Sequence, residues 1–128
     1  MRFAKVVYYI AGIYGTPAIL MGYFSEPWVA RNHPPAVTHP EYLYGFMGVT
    51  LAWQIAFLII AGEPLRYCGM MIPSMIEKSG YAAAVLVLYN LHRLDRTLYL
   101  LGSLDWVFLF AFIAAYFHTR PRADRRRA

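Results

Sequence analysis

Three ionisable side chains lie inside long apolar runs of this sequence, and they are the first residues to consider for chemistry. Glu77 and Lys78 are adjacent in one run, and Asp105 lies in another. Because a charged side chain in the hydrocarbon of a bilayer is costly, such residues usually face a bundle interior, a partner or a cavity. A carboxyl in that setting can carry a proton or anchor the polar group of a ligand.

The neighbours of these residues extend the candidate site. Gln54 lies at a similar depth in the preceding apolar run, and Tyr81 lies one helical turn after Glu77 on the same face. Trp106 follows Asp105 directly and can line the same space. The predicted ligand pocket therefore consists of Gln54, Glu77, Lys78, Tyr81, Asp105 and Trp106, and none of them is assigned a catalytic role.

Each of these residues also has a purely structural interpretation. If the third segment begins at Pro73, Glu77 falls in its first turns, where the helix dipole favours an acid. Lys78 can then extend its aliphatic chain so that the ammonium reaches the headgroups. Asp105 can be a hydrogen-bonded residue between packed helices, and Trp106 can face lipid. Both interpretations stay open at this point.

Metal and cofactor motifs are weak in this sequence. His33, His39 and His92 come from different connections and lack the close spacing of a helical ligand pair, so we predict no metal site. The sequence holds one cysteine, Cys68, which excludes an intrachain disulfide. Phosphate-binding, dinucleotide-binding and nucleophile motifs are missing from the sequence, so we predict no cofactor.

The elements that must position the candidate site are apolar helices. The chain of 128 residues is 59% hydrophobic and 15% charged, whereas soluble domains are about 45–50% apolar and about 25% charged. Four apolar runs each have close to the roughly 20 residues that span a bilayer. The sequence predicts an all-α, four-helix transmembrane bundle in residues 1–119, with helices at about 3–24, 41–62, 69–90 and 98–118.

Local signals place the ends of these helices. Thr38 and Glu41 have the spacing of a capping box at the start of the second helix. Pro121 is expected to end the fourth helix. Four prolines in residues 25–40 exclude a continuous helix there and predict an ordered loop. Ala11 and Gly15 form a small pair that lets another helix approach the first one closely.

The positive charges predict the orientation. With the amino terminus inside, eight Lys and Arg residues lie on the inner side and three, namely Arg31, Arg93 and Arg96, lie on the outer side. This bias predicts that both termini are cytoplasmic, in the cell inner (plasma) membrane. The basic tail, residues 120–128, is predicted to attract anionic lipid headgroups rather than nucleic acid. Its arginines are Arg120, Arg122, Arg125, Arg126 and Arg127.

Residues 39–89 resemble the small bacterial four-helix membrane proteins of the DoxX group. The resemblance lies in Glu41 at the entry of the second helix, the short turn Glu63-Pro64-Leu65-Arg66, and the polar pair Glu77 and Lys78 in the third helix. It implies a small membrane protein and no particular activity. The sterol-isomerase-like four-helix fold is a second resemblance, which implies a hydrophobic ligand held against intramembrane acids and histidines. Glu77 and Asp105 fit it, but no histidine lies deep in a predicted helix.

Two classes of function follow. The first is a protein that binds a hydrophobic ligand or serves as an accessory subunit in a larger membrane complex or homo-oligomer, and the sequence favours this class. The alternative is an intramembrane enzyme that acts on a lipid-like substrate through its buried acids. A pocket that joins Glu77 and Asp105 would favour the enzyme, whereas a continuous packed core with a flat face of small residues would favour the accessory subunit.

Overall fold

The fold is known from a computed structural model, which describes the backbone of residues 2–127 and the side chains of residues 2–120. Six α-helices and one short 3-10 turn, Cys68–Met70, make up the regular structure of this part of the chain. The helices are α1 (Arg2–Gly22), α2 (Glu26–Asn32), α3 (Pro40–Gly62), α4 (Met71–Asn90), α5 (Arg96–Gly102) and α6 (Leu104–Arg127).

Four helical segments are long and apolar enough to cross a membrane. They are Arg2–Gly22, Pro40–Gly62, Cys68–Asn90 and Arg96–Arg120, with 21 to 25 residues each. At about 1.5 Å of rise per residue, 21 residues cover the roughly 30 Å of bilayer hydrocarbon. The predicted four-helix transmembrane bundle is therefore confirmed, and the chain is a small membrane protein.

The fourth span is two helices rather than the single helix predicted at 98–118. α5 begins earlier than predicted because the Thr97 backbone N–H donates a hydrogen bond to the Asp95 carboxylate at 2.9 Å, which caps the helix. α5 ends at Gly102, where a Cβ atom would come within 2.7 Å of the Val85 side chain. The glycine therefore permits close packing of α5 on α4 at the point where the span is interrupted.

Pro121 does not end α6, so the prediction of a stop there is wrong. α6 continues as a helix to Arg127. A proline removes one backbone donor, and near the end of a membrane span water can satisfy the carbonyl that loses its partner. Arg120 is the described arginine of the predicted basic tail, and its guanidinium lies 5.9 Å from the centre of the Tyr116 ring. The side chains of the other tail arginines lie outside the described residues.

The start of α3 also differs from the prediction. Its N-cap is His39, and no side chain caps the helix there, so Thr38 and Glu41 do not form a capping box. The Glu41 carboxylate instead lies 3.0 Å from the His39 ring nitrogen. Within the proline-rich stretch, residues 26–32 form the short helix α2, because a proline at position 27 lies in the first turn, where its missing N–H is harmless.

Polar contacts tie the connections at the α2 end of the bundle to each other. The His33 ring nitrogen lies 3.1 Å from the Asp95 carboxylate, which joins the end of α2 to the start of α5. Desolvation acts to raise the pKa of Asp95, but the hydrogen bond from the Thr97 backbone N–H and the electrostatic effect of the nearby His33 ring outweigh it, so this pKa lies below its ordinary value. The Tyr44 hydroxyl also donates to Glu26 at 2.7 Å, which ties α3 to α2. The proline-rich connection is thus an ordered structure.

The spans are not packed equally on one another. α1 packs closely on α3 and also contacts α6, while α6 packs on α4; α3 and α4 scarcely touch. The apolar core lies in the half of the bundle away from α2, around the fully buried rings of Tyr8, Phe57 and Phe112. Tyr8 and Phe112 stack with their centres 4.2 Å apart. The half of the bundle nearer α2 is less completely filled and contains a cavity lined partly by α3 and α4.

The distribution of Lys and Arg predicts that both termini face the cytoplasm. We expect a reporter that is active only in the cytoplasm to give signal when it is fused to either terminus. The same reporter inserted in the connection that contains α2 should give none and serves as the control. Signal from a reporter active only outside the cytoplasm, fused at either terminus, would contradict this orientation.

Candidate ligand cavity

Lys78 holds two carboxylates together in the middle of the bundle. Its ammonium nitrogen lies 3.3 Å from a Glu77 oxygen and 3.3 Å from an Asp105 oxygen. The Lys78 side chain is only 8% exposed. α4 supplies Glu77 and Lys78 from its second turn, and α6 supplies Asp105 from its first turn. Lys78 therefore does not extend to the headgroups, whereas Glu77 lies in the second turn of α4, within the first turns that its structural interpretation requires.

Two aromatic rings also lie near the Lys78 ammonium. The nitrogen lies 5.4 Å from the centre of the Phe57 ring and 6.0 Å from that of Phe108. At such distances the negative face of an aromatic ring attracts a cation. One Glu77 oxygen is buried without a hydrogen bond, so the ion contact with Lys78 is the polar interaction that it makes. We call Glu77, Lys78 and Asp105 the charged cluster.

The charged cluster lies at the floor of a cavity of about 340 Å³. Helices α1, α3, α4, α5 and α6 all contribute to the lining, which is mainly apolar. Its walls run from the middle of the bundle towards the end that carries α2. The wall residues include Ile19, Phe46, Met47, Tyr81, Leu98, Leu101 and Phe108.

Gln54 belongs to the floor of the cavity and is 3% exposed. Its amide nitrogen donates to the Thr50 carbonyl at 3.3 Å. The amide packs directly on Gly15, where a Cβ atom would collide with the Gln54 oxygen. Gly15, which the sequence predicts to be a helix-packing position, thus makes room for the polar side chain of Gln54.

One side of the cavity is lined by α3 and α4, two spans whose backbones approach each other at few points. Phe46 of α3 and Tyr81 of α4 bridge the gap between these spans with their ring centres 5.4 Å apart. Both residues line the cavity, and both are 41% exposed. Since both rings are partly exposed on the outside of the bundle, this side of the cavity adjoins lipid in a bilayer.

The lining carries an excess of negative charge. Of the described residues that line the cavity, three are charged side chains, namely the two carboxylates and one ammonium of the charged cluster. When all three are ionised, the cluster has a net charge of −1. An uncompensated charge in a site of low dielectric constant is costly, so the cavity favours a positively charged group or a proton.

The structure brings most of the sequence-predicted residues together. Gln54, Glu77, Lys78, Tyr81 and Asp105 all line the cavity, whereas Trp106 is not part of the lining and stacks on Phe110 at 6.3 Å. Sequence reasoning missed the apolar walls, which include Ile19, Phe46, Met47, Leu98, Leu101 and Phe108. A signal for two of them was present, since Leu101 and Phe108 lie four residues before and three residues after Asp105, the spacing of one helical face.

The histidines lie elsewhere. His33 lines a second, more polar cavity of about 450 Å³ at the α2 end, together with Asn32, Arg93 and Asp95. Leu98 lines both cavities and separates them. Among the described residues, no three His, Cys, Asp or Glu side chains are grouped closely enough to hold a metal ion.

Comparisons with known proteins found no match to this chain among family models, curated protein sequences or solved structures. The resemblance of residues 39–89 to the DoxX group and the likeness to the sterol-isomerase-like fold stay predictions.

Proposed function

We propose that this protein binds a hydrophobic or amphipathic molecule from the bilayer, and that the polar group of this molecule contacts the charged cluster. The observation that carries the proposal is a mainly apolar cavity of about 340 Å³ with three charged side chains at its floor. Its volume lies in the range of about 300–1,000 Å³ that small-molecule sites occupy, and such sites combine an apolar lining with a few polar groups.

The packing of the spans supports this proposal over a purely structural subunit. A subunit that only docks in a larger complex needs a continuous core and a complementary face. In this bundle, α3 and α4 leave a gap beside the charged cluster, and that gap gives a membrane-dissolved molecule access to polar groups. Binding of a ligand remains compatible with assembly into a larger complex and with residence in the plasma membrane, which we also propose.

A pair of neighbouring leucines in α5 allows a matched test. Leu101 lines the cavity and Leu100 does not, while their exposed fractions are nearly equal, 57% and 56%. A tryptophan at position 101 fills cavity space. We therefore expect Leu101→Trp to retain at least tenfold less of the molecule that copurifies with the wild type. Leu100→Trp should retain it. The measurement is native mass spectrometry of protein extracted in lipid discs without detergent.

Two results would contradict ligand binding. One is equal retention of the copurified molecule by both tryptophan variants. The other is a wild type that carries only bulk lipids, in the proportions of the surrounding membrane, and that binds no added hydrophobic probe. Both variants must elute as folded protein in size-exclusion chromatography for the comparison to count.

The cavity joins Glu77 and Asp105, the feature named above as favouring an intramembrane enzyme. An enzyme must also bind its substrate in this cavity, so catalysis is the second candidate and is tested after binding. In that case a carboxyl exchanges a proton with the bound molecule, as general acids and bases do. Incubation of the wild type with its copurified molecule should then give a product of different mass or isomeric form by liquid chromatography. Asp105→Asn and Glu77→Gln should bind the molecule without converting it. If the wild type leaves the molecule unchanged, the function is binding alone.

A further inference from the structure

We propose that the cavity takes up the cationic head of an amphiphile and releases a proton in exchange. This inference rests on the proposed function and names the chemical class of its ligand: an apolar chain that carries an ammonium group. The inference is based on the charged cluster at the floor, the aromatic rings of the walls and the gap between α3 and α4.

The charged cluster has two acidic groups and one basic group. Glu77 and Asp105 each lie 3.3 Å from the same Lys78 nitrogen, so one ammonium serves two carboxylates. One Glu77 oxygen is buried without a hydrogen bond, and its polar contact is the ion pair with Lys78. Since a surplus charge in a low-dielectric site is costly, the empty cavity keeps one proton on the two carboxyl groups and is neutral.

The groups that could hold this proton belong to three helices. On α4 the charged and titratable residues that face the cavity are Glu77, Lys78 and Tyr81; α6 contributes Asp105 and α1 contributes Tyr14. The lining residues of α3 and α5 include no titratable side chain. Lys78 is the shared ion-pair partner of both carboxyl groups. The proton therefore resides on one of the two carboxyl groups.

The exchange itself follows from these charges. An ammonium head that enters the cavity supplies the missing positive charge, and the carboxylic acid gives its proton to solvent. No bond within the ligand forms or breaks, and the charge of the site remains zero throughout. The rings of Phe46, Tyr81, Phe108 and Tyr14 line the path, and aromatic faces favour ammonium groups. The apolar chain then occupies the wall region between α3 and α4.

The test uses the purified full-length protein in lipid discs and two probes. Dodecyltrimethylammonium carries a permanent charge, so the pH does not change the probe itself, and 1-dodecanol is its neutral counterpart. We expect the Kd of the cationic probe to fall about tenfold for each unit of pH increase over the range in which the empty site holds its proton. The Kd of dodecanol should be independent of pH. Calorimetry in buffers of different ionisation enthalpy should show release of one proton per bound cation.

Variants separate the charge effect from general binding. In Asp105→Asn and Glu77→Gln one carboxylate balances Lys78, so we expect cation binding to lose its pH dependence and to weaken at least tenfold, while dodecanol still binds. Either variant suffices if the other fails to fold. Glu63→Gln is the control, because Glu63 is exposed at the end of α3, where it pairs with Arg66, and it should behave as the wild type.

The outcomes distinguish this inference from the proposed function. If both probes bind with no dependence on pH and no proton release, the exchange is refuted while ligand binding stands. If neither probe binds to the wild type, the proposed function itself fails. If the pH dependence persists unchanged in both carboxyl variants, the proton comes from another group and the assignment to the charged cluster is wrong.

Discussion

Replacement of Lys78 by methionine should lower the free energy of unfolding by about 3–5 kcal/mol, the usual cost of removing one partner of a buried ion pair. Lys78 is the shared partner of Glu77 and Asp105. Without it two carboxyl groups face each other in an apolar bundle and must take up protons or admit water. Unfolding in mixed micelles, followed by near-ultraviolet circular dichroism, measures the change.

Arg66→Met is the control for this prediction. Arg66 pairs with Glu63 at 3.7 Å, but both side chains are more than 60% exposed. An exposed ion pair contributes about 0–1 kcal/mol, so this variant should unfold close to the wild type. The triple variant Lys78→Met, Glu77→Gln, Asp105→Asn removes all the charges and should recover much of the lost stability. An unchanged stability of Lys78→Met alone would show that the cluster is hydrated and does not hold the bundle together.

Phe112→Ala should destabilise the opposite half of the bundle by roughly 2–3 kcal/mol. Phe112 is completely buried, stacks on Tyr8 and meets the edge of the Phe57 ring at 5.0 Å. In lipid the gain from removing apolar surface from water does not apply between helices, so packing decides the cost. The cavity left by a phenyl ring, about 100 Å³, costs roughly 24 cal/mol per Å³.

Phe110→Ala is the matched control, since Phe110 lies two residues away on the same helix and is 64% exposed. Lipid or detergent can fill the space that this ring leaves, so we expect a change well below that of Phe112→Ala. The same micelle unfolding assay compares the two. Equal losses for the two variants would mean that the core is not where the structure places it.

The spans and the candidate residues were predictable because one physical constraint determines both. A bilayer requires long apolar helices, and it makes ionisable residues within them exceptional. This reasoning selected Glu77, Lys78 and Asp105, which the structure brings together. Tyr81 and Gln54 followed from helical spacing and depth, and both line the cavity.

Other features depend on contacts that no local pattern reveals. The interruption of the fourth span lies where Gly102 meets Val85 of another helix. α6 continues beyond Pro121 although this proline lacks a backbone donor. Lys78 could reach either headgroups or an internal carboxylate, and only the position of Asp105 on α6 decides between them. Trp106 was assigned to the pocket as the chain neighbour of Asp105, but successive helical residues point in directions about 100° apart.

The position of the cavity along the bundle makes the protein asymmetric across the bilayer. Its lining comes from residues 11–19 of α1, 46–54 of α3, 77–81 of α4, 98–102 of α5 and 105–108 of α6. It extends from the middle of the bundle towards the α2 end, while the other end is filled by the aromatic core. Under the proposed function, an amphiphile in the leaflet on the α2 side would lie beside the cavity, whereas one in the opposite leaflet would meet packed side chains. The protein would then take its ligand from one leaflet, and a molecule from the other leaflet would have to cross the membrane first.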